Sequence, residues 1–131
     1  MSSSKQVVRI GPLKDIIASG VRVDNLLTLS GQVSLNPEGQ VVGTGDIGAQ
    51  VHQSYINIQD VLVEFGATMK NVVDEMWLVT DIQDVMANIN QLGAIRSEVY
   101  GRDPEVTQTL IQVSGLVMPE LLIEIKCIAL V

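Results

Sequence analysis

The sequence predicts an α+β domain, a two-layer sandwich in which a mixed β-sheet carries two helices on one face. Three observations point there. β-prone apolar runs sit at both ends of the chain, two central stretches carry apolar residues at helical spacing, and one further β-prone run lies between those stretches. The order is therefore strands, helix, strand, helix, strands. At 131 residues the chain is one domain, residues 1–131, large enough to bury about two thirds of its unfolded surface.

Residues 5–10 form a short strand candidate that ends at Gly11-Pro12. Residues 16–23 and 26–32 flank Asp24-Asn25, a hairpin pattern of two β-prone runs around a two-residue polar turn. The second run closes at Ser30-Gly31, and glycine at a strand end often marks a close backbone approach or a bulge. Asn36-Pro37-Glu38-Gly39 is a turn. Asp46 can cap the first helix, whose buried face is Ile47, Val51, Tyr55, Ile58, Leu62 and Phe65. Gly66 closes that helix where a left-handed residue is wanted. Residues 76–80 form a strand with Trp77 and Val79 on one face and Met76 and Leu78 on the other. A second helix, capped by Asp81 or Asp84, carries the stripe Val85, Ile89, Leu92, Ile95 and Val99 and ends near Gly101.

The last quarter, residues 104–131, holds two apolar β-prone runs separated by a Ser-Gly and Met-Pro turn zone. The final run, residues 121–131, is apolar on both faces, which places it inside the sheet rather than at its rim. Its only charges are Glu124 and Lys126. Period-two spacing sets Ile123, Ile125, Cys127 and Ala129 on one side, and Leu122, Glu124, Lys126, Ile128 and Leu130 on the other. Either the Glu124 face borders solvent, as half-buried strands commonly do, or Glu124 lines a cleft.

Composition narrows the function. Apolar residues make up 47% and aromatics 3%, so the core is built from Val, Ile and Leu. With 18% charged residues, apolar surface is left over, and oligomerisation is the plain way to cover it. A net charge of −7 with scattered basic residues argues against a nucleic-acid partner. One cysteine, Cys127, excludes an internal disulfide and suits a reducing cytosol, so the expected location is cytoplasmic. The N-terminal MSSSKQVVR has no hydrophobic signal segment, and no apolar run approaches the ~20 residues of a membrane helix, so no membrane partner is expected. His52, the only histidine, follows Val51 on the first helix and faces water, without a His or Cys partner. Asp74-Glu75 and Asp81 with Asp84 lack metal-loop spacing and read as strand-end and capping residues. Neither a metal nor an organic cofactor is expected. Ser30 lacks a nucleophile elbow and an activating histidine.

The ending LLIEIKCIAL, the preceding TLIQV and the earlier Leu29-Ser30-Gly31-Gln32 resemble the reactive intermediate deaminase family (Rid, also called YjgF). Asn36-Pro37 with Gly39, Asp46-Ile47, Gln50, Gln53, Asn57, Gly66 and Asp81 match in order and spacing, from about residue 16 to residue 130. The resemblance implies a chorismate-mutase-like fold, a homotrimer, and a small-molecule site in each cleft between subunits. It also implies hydrolysis of 2-imino or enamino acids to 2-keto acids and ammonia. The glutamate that handles water in the family falls on Glu124, and the cleft-shaping serine and glycine fall on Ser30 and Gly31. An asparagine at the second helix falls near Asn90, with Asn88 the alternative. The arginine that forks onto the substrate carboxylate falls on Gln108, behind Val106-Thr107 in place of Pro-Ala. A second-strand aromatic hydroxyl falls on Ile17, and a cysteine on Leu110.

This sequence therefore resembles a divergent, RidA-like member that keeps the water-handling carboxylate and lacks the carboxylate clamp. An Arg–carboxylate fork holds two charge-assisted bonds of roughly 1.5–3 kcal/mol each. Exchange for a neutral amide lowers affinity for a 2-imino acid by a factor on the order of 10²–10³. Two readings stand side by side. One is a hydrolase of small imines, enamines or related C–N compounds that uses Glu124; the other is a non-catalytic small-molecule-binding or regulatory trimer. Arg96 and Arg102 are candidates to replace the lost arginine. The family also has members described as endoribonucleases or translation inhibitors, which the acidic charge and the lack of a basic, aromatic-bearing patch argue against.

Overall fold

A computed structural model describes residues 4–101 and 103–131. Seven strands form one mixed sheet: β1 (Gln6–Val8), β2 (Gly20–Val23), β3 (Leu26–Leu29), β4 (Gln32–Val33), β5 (Val72–Val79), β6 (Thr107–Gln112) and β7 (Ile123–Leu130). The strand order is β1-β2-β3-β7-β5-β6, with β4 also on β7, and only the β5–β6 pair is parallel. The last strand does lie inside the sheet, between β3 or β4 on one side and β5 on the other. Strand β6 pairs with β5 alone and forms an edge.

The alternation expected of the last strand is what builds the core. Ile123, Ile125, Cys127 and Ala129 are fully buried on one face, together with Trp77 and Val79 of β5. Helix α1 (Ile47–Glu64) lays Val51, Tyr55, Ile58 and Leu62 on that face. Asp46 caps it, its Oδ1 accepting from the Ala49 N–H at 3.1 Å. The opposite face of the sheet, with Met76, Leu78, Leu122, Glu124, Lys126 and Ile128, is half-buried.

Helix and strand boundaries differ from expectation at four places. The run 26–32 is not one strand but two, β3 and β4, broken at Ser30-Gly31. The second helix is two, α2 (Ile82–Ala87) and α3 (Ile89–Tyr100), so the sheet carries three helices. Asn88 makes the break: its backbone leaves the helical range, and its side chain donates to the Asp84 carbonyl at 2.8 Å. The stripe survives the break, with Val85 and Leu92 in the core and Ile95 and Val99 packed against it. Residues 16–19 are not strand. Ile16 and Ile17 both donate backbone N–H groups to the Leu13 carbonyl in a tight turn after Pro12, and β2 begins only at Gly20. The β-branched pair that suggested a strand is exposed, Ile16 at 77% and Ile17 at 42%. Conversely β5 begins four residues earlier than the 76–80 run, which moves Glu75 from a strand end to mid-strand and full burial.

The first helix stops at Gly66, whose φ is +70°. A Cβ there meets no atom within 4 Å, so the cost of a side chain is conformational alone. Gly66→Ala is expected to lower unfolding free energy by about 1–2 kcal/mol, and Gly66→Asn by less, because Asn tolerates the left-handed region. Urea unfolding of both variants checks this; equal stability of Gly66→Ala and wild type would contradict it.

Candidate functional site

Ser30 and Gly31 fall in the gap between β3 and β4, where neither residue pairs with β7. Ser30 is fixed on the neighbouring turn, its N–H donating to the Ser19 carbonyl at 2.9 Å and its hydroxyl to the Ala18 carbonyl at 2.6 Å. Glu124 leans over the gap. A Cβ at position 31 would lie 2.6 Å from the Glu124 carboxyl carbon, so only glycine lets the carboxylate approach this backbone. Lys126, two residues along the same strand face, donates to the Leu29 carbonyl at 2.5 Å and so ties the end of β3 to β7.

Burial pushes the Glu124 carboxyl above the usual glutamate range, and the Lys126 charge opposes the rise. A half-buried acid held above its usual range keeps its proton more readily than an exposed glutamate does, which suits a proton-transferring group. On the other side of Gly31 opens a cavity of about 380 Å³, lined by Ile17, Ser30, Gly31, Val33, Leu35 and Ile56 among others, with Gln53, Asn57 and Asp60 as polar groups. Three of the sequence-predicted residues, Ile17, Ser30 and Gly31, thus line one cavity; Glu124 is not among its lining residues but lies against Gly31.

The remaining predicted residues lie elsewhere. Gln108 pairs with Glu75 across β5–β6, and Leu110 pairs with Trp77. Both share the helix-covered face, and Leu110 packs against the main core. Glu124 pairs with Leu78 on the opposite face. A single chain therefore cannot bring Gln108 and Glu124 onto one ligand. Asn90 is an exposed residue of α3 and joins neither group. Asn88 is engaged in closing α2. Arg102 lies outside the described residues.

Gln108 belongs to a cluster that the sequence did not disclose. The fully buried Glu75 carboxylate accepts four hydrogen bonds. Oε1 takes the hydroxyls of Tyr55 at 2.8 Å and Tyr100 at 2.6 Å. Oε2 takes Arg96 Nε at 2.5 Å and Gln108 Nε2 at 2.7 Å. Trp77 Nε1 donates to the Tyr55 hydroxyl at 3.1 Å. Burial, followed by the Glu75 charge, raises the Tyr55 pKa far above the usual tyrosine value. Burial, then its Cys127 and Glu75 neighbours, does the same to Tyr100. Both stay neutral donors. Burial also pushes the Cys127 thiol up to about 12, which leaves it a protonated core residue. Arg96 makes a second bond to the Val106 carbonyl at 3.2 Å and stacks on Tyr100, 5.3 Å from the ring centroid. It sits beside Gln108, as a replacement for the lost arginine should, yet its charge is paired inside the chain. The available signal was period-two spacing: Glu75, Trp77 and Val79 form one face if the strand is extended backwards.

Other residues have plain structural work. His52 is exposed on α1. Asp81 caps α2 by accepting from the Gln83 and Asp84 N–H groups. The buried Gln50 side chain bridges the Gly43 and Glu120 carbonyls and the Leu122 N–H. Asn57 donates to the Val33 and Leu35 carbonyls and stitches α1 to β4. Among the described residues, no group of three or more His, Cys, Asp or Glu side chains could hold a metal ion. Among the described residues, no helix is long and apolar enough to cross a membrane.

The raised Glu124 pKa has a signed consequence for stability. An acid whose folded-state pKa exceeds its unfolded value favours folding while protonated, and that contribution is lost as pH rises through the folded-state value. Glu124→Gln stays neutral throughout. It is expected to match wild type in acid and to exceed it in urea midpoint at neutral pH. A wild type that gains on Glu124→Gln as pH rises would contradict the assignment.

Residues 10–131 match the family model described as Endoribonuclease L-PSP. A "RutC family protein" of Pyrococcus abyssi is 30% identical over 120 residues, covering 92% of this chain and 87% of that protein. A protein of Acinetobacter baylyi named "3-aminoacrylate deaminase RutC" is 33% identical over 108 residues, covering 82% of this chain and 81% of that one. Among solved structures, a Rid-family protein of unknown function from Yersinia pestis superposes with a TM-score of 0.82 at 28% identity, covering 98% of this chain and all (100%) of that one. With the matched fold, these likenesses show that the chain belongs to the Endoribonuclease L-PSP family, the Rid or YjgF proteins.

Proposed function

We propose that this protein hydrolyses small imines or enamines that lack a free carboxylate, with Glu124 as the proton-transferring group. The observation that carries the reading is the Glu124 carboxylate, half-buried, raised in pKa and seated against Gly31 beside a cavity. A relative named as a deaminase of 3-aminoacrylate, an enamine, supports the reaction class. The absence of a guanidinium at Gln108 and the internal pairing of Arg96 argue against a substrate held by its carboxylate.

The proposed site is a cleft between subunits of a homotrimer. One subunit supplies Glu124, Gly31, Ser30 and Ile17, and the next supplies Gln108 and Leu110. The placement of Glu124 and Gln108 on opposite faces of one chain supports this arrangement. The half-buried apolar face that carries Glu124 supports it too. In the reaction, water adds to the imine carbon while Glu124 takes a proton from it and passes the proton to the nitrogen. The resulting carbinolamine collapses as Glu124 moves the hydroxyl proton to the nitrogen. The C–N bond breaks, the C=O bond forms, and ammonia leaves. No cofactor is required by this chemistry.

The test follows ammonia release from 2-iminopropionamide and from 2-iminopropionate, each generated in place. Wild type is expected to speed hydrolysis of the amide. Glu124→Ala is expected to lose on the order of 10²–10⁴ of that rate. If Glu124→Ala matches wild type, Glu124 does not carry the reaction; if wild type is inert on both compounds, the protein is a binder rather than a hydrolase.

A further inference from the structure

We propose that Glu75 is a specificity-determining residue: by holding the Gln108 amide and the Arg96 charge, it presents a neutral carboxamide edge to the ligand. The inference rests on the reading above that Gln108 faces the cleft, and it names the ligand chemistry that such a cleft takes.

The geometry fixes which way Gln108 points. An amide offers one acceptor and two N–H donors, whereas a carboxylate only accepts. The bond from Gln108 Nε2 to Glu75 Oε2 therefore sets the NH₂ end towards the interior. Gln108 is nonetheless an exposed residue on the edge strand, so part of its amide remains accessible. What is left to a ligand is the Oε1 acceptor and the second N–H. Those two groups side by side complement another amide, which has a carbonyl and an N–H of its own. They do not complement a carboxylate, which would meet an acceptor it cannot pair with.

Charge leads to the same result. Arg96 is the cation next to Gln108, and its Nε reaches the same Glu75 oxygen. The remaining Glu75 oxygen is taken by two tyrosine hydroxyls, so the carboxylate has no spare lone pair that would let Gln108 swing away for another donor. The pair is neutral as a unit, and an arriving anion finds no uncompensated positive charge there. Glu75 also explains why restoring an arginine at position 108 would not by itself restore acid recognition. A guanidinium on β6 would lie opposite Glu75 in the strand register and pair with it first.

The probes are pyruvamide and pyruvate, which differ only in the amide and the carboxylate. Dissociation constants are read by NMR titration, following the Gln108 side-chain amide signals, on wild type, Gln108→Arg and Gln108→Arg/Glu75→Gln. Wild type is expected to bind pyruvamide at least about fivefold more tightly than pyruvate, the worth of one neutral hydrogen bond. Gln108→Arg alone is expected to gain less than about threefold for pyruvate, and the double variant at least about tenfold. The proposal is overturned if wild type prefers pyruvate or binds both equally. It is also overturned if neither probe moves the Gln108 signals, or if Gln108→Arg alone gains the full pyruvate affinity. Should the double variant not fold, the wild-type preference and the single variant still decide the matter. Binding is read without turnover. Amide preference in a protein inert towards imines upholds this inference while removing the catalytic reading, and pyruvate preference in an active hydrolase does the reverse.

Discussion

The interior of this protein is arranged around one carboxylate. Glu75 has no contact with solvent, and a buried charge survives only with a counter-charge and hydrogen bonds on its remaining lone pairs. The chain supplies them from three directions: Tyr55 on α1, Arg96 and Tyr100 on α3, and Gln108 on β6. A single side chain of β5 thereby ties two helices and the edge strand to the sheet. It also sets the register in which β6 joins, with Gln108 opposite Glu75. Such a pair adds little net stability over an apolar core of the same shape, while removing one member costs about 3–5 kcal/mol. Its effect is specificity: it fixes where each element sits and which donors remain free.

The sheet consequently has two faces with different chemistry. On the helix-side face the Glu75 carboxylate is buried and its four hydrogen bonds come from within the chain, while Gln108 stays exposed at the edge strand. The other face presents Glu124 with Lys126 and a half-buried apolar surround. Gly31 matters because its missing side chain is what admits the Glu124 carboxylate next to this backbone. Family membership accounts for the scaffold. The ligand chemistry proposed for this chain departs from carboxylate recognition because Gln108 and Arg96 both bond Glu75.

Much of this was legible in the sequence. The α1 stripe, the Asp46 cap, the Gly66 stop, the alternation of β7 and the closeness of Gly31 to another group all followed from spacing and residue type. The Ile16-Ile17 pair misled because β-branched residues in an exposed turn, Ile17 of them beside a cavity, look like strand residues beside a core. The α2–α3 break was hidden because Asn88 interrupts the backbone without interrupting the apolar stripe. The Glu75 cluster was not legible. Its members are separated by up to 53 positions from Tyr55 to Gln108, and nothing in local pattern signals that four polar side chains converge on a fifth. Two adjacent acids, Asp74 and Glu75, look alike in sequence, yet a bulge between Val72 and Asp74 and the pleat of β5 set them on opposite faces.

The measurement that tests this account most directly is a double-mutant cycle of unfolding free energy with Glu75→Met, Arg96→Met and the two combined. If the Arg96 charge is held inside the chain by Glu75, each single variant leaves the other charge unpaired and costs about 3–5 kcal/mol. The double variant then costs far less than their sum, with a coupling of at least about 2 kcal/mol. Additive effects would mean that Arg96 is free of Glu75 in solution and available to an anionic ligand, and the neutral edge at Gln108 would go with it.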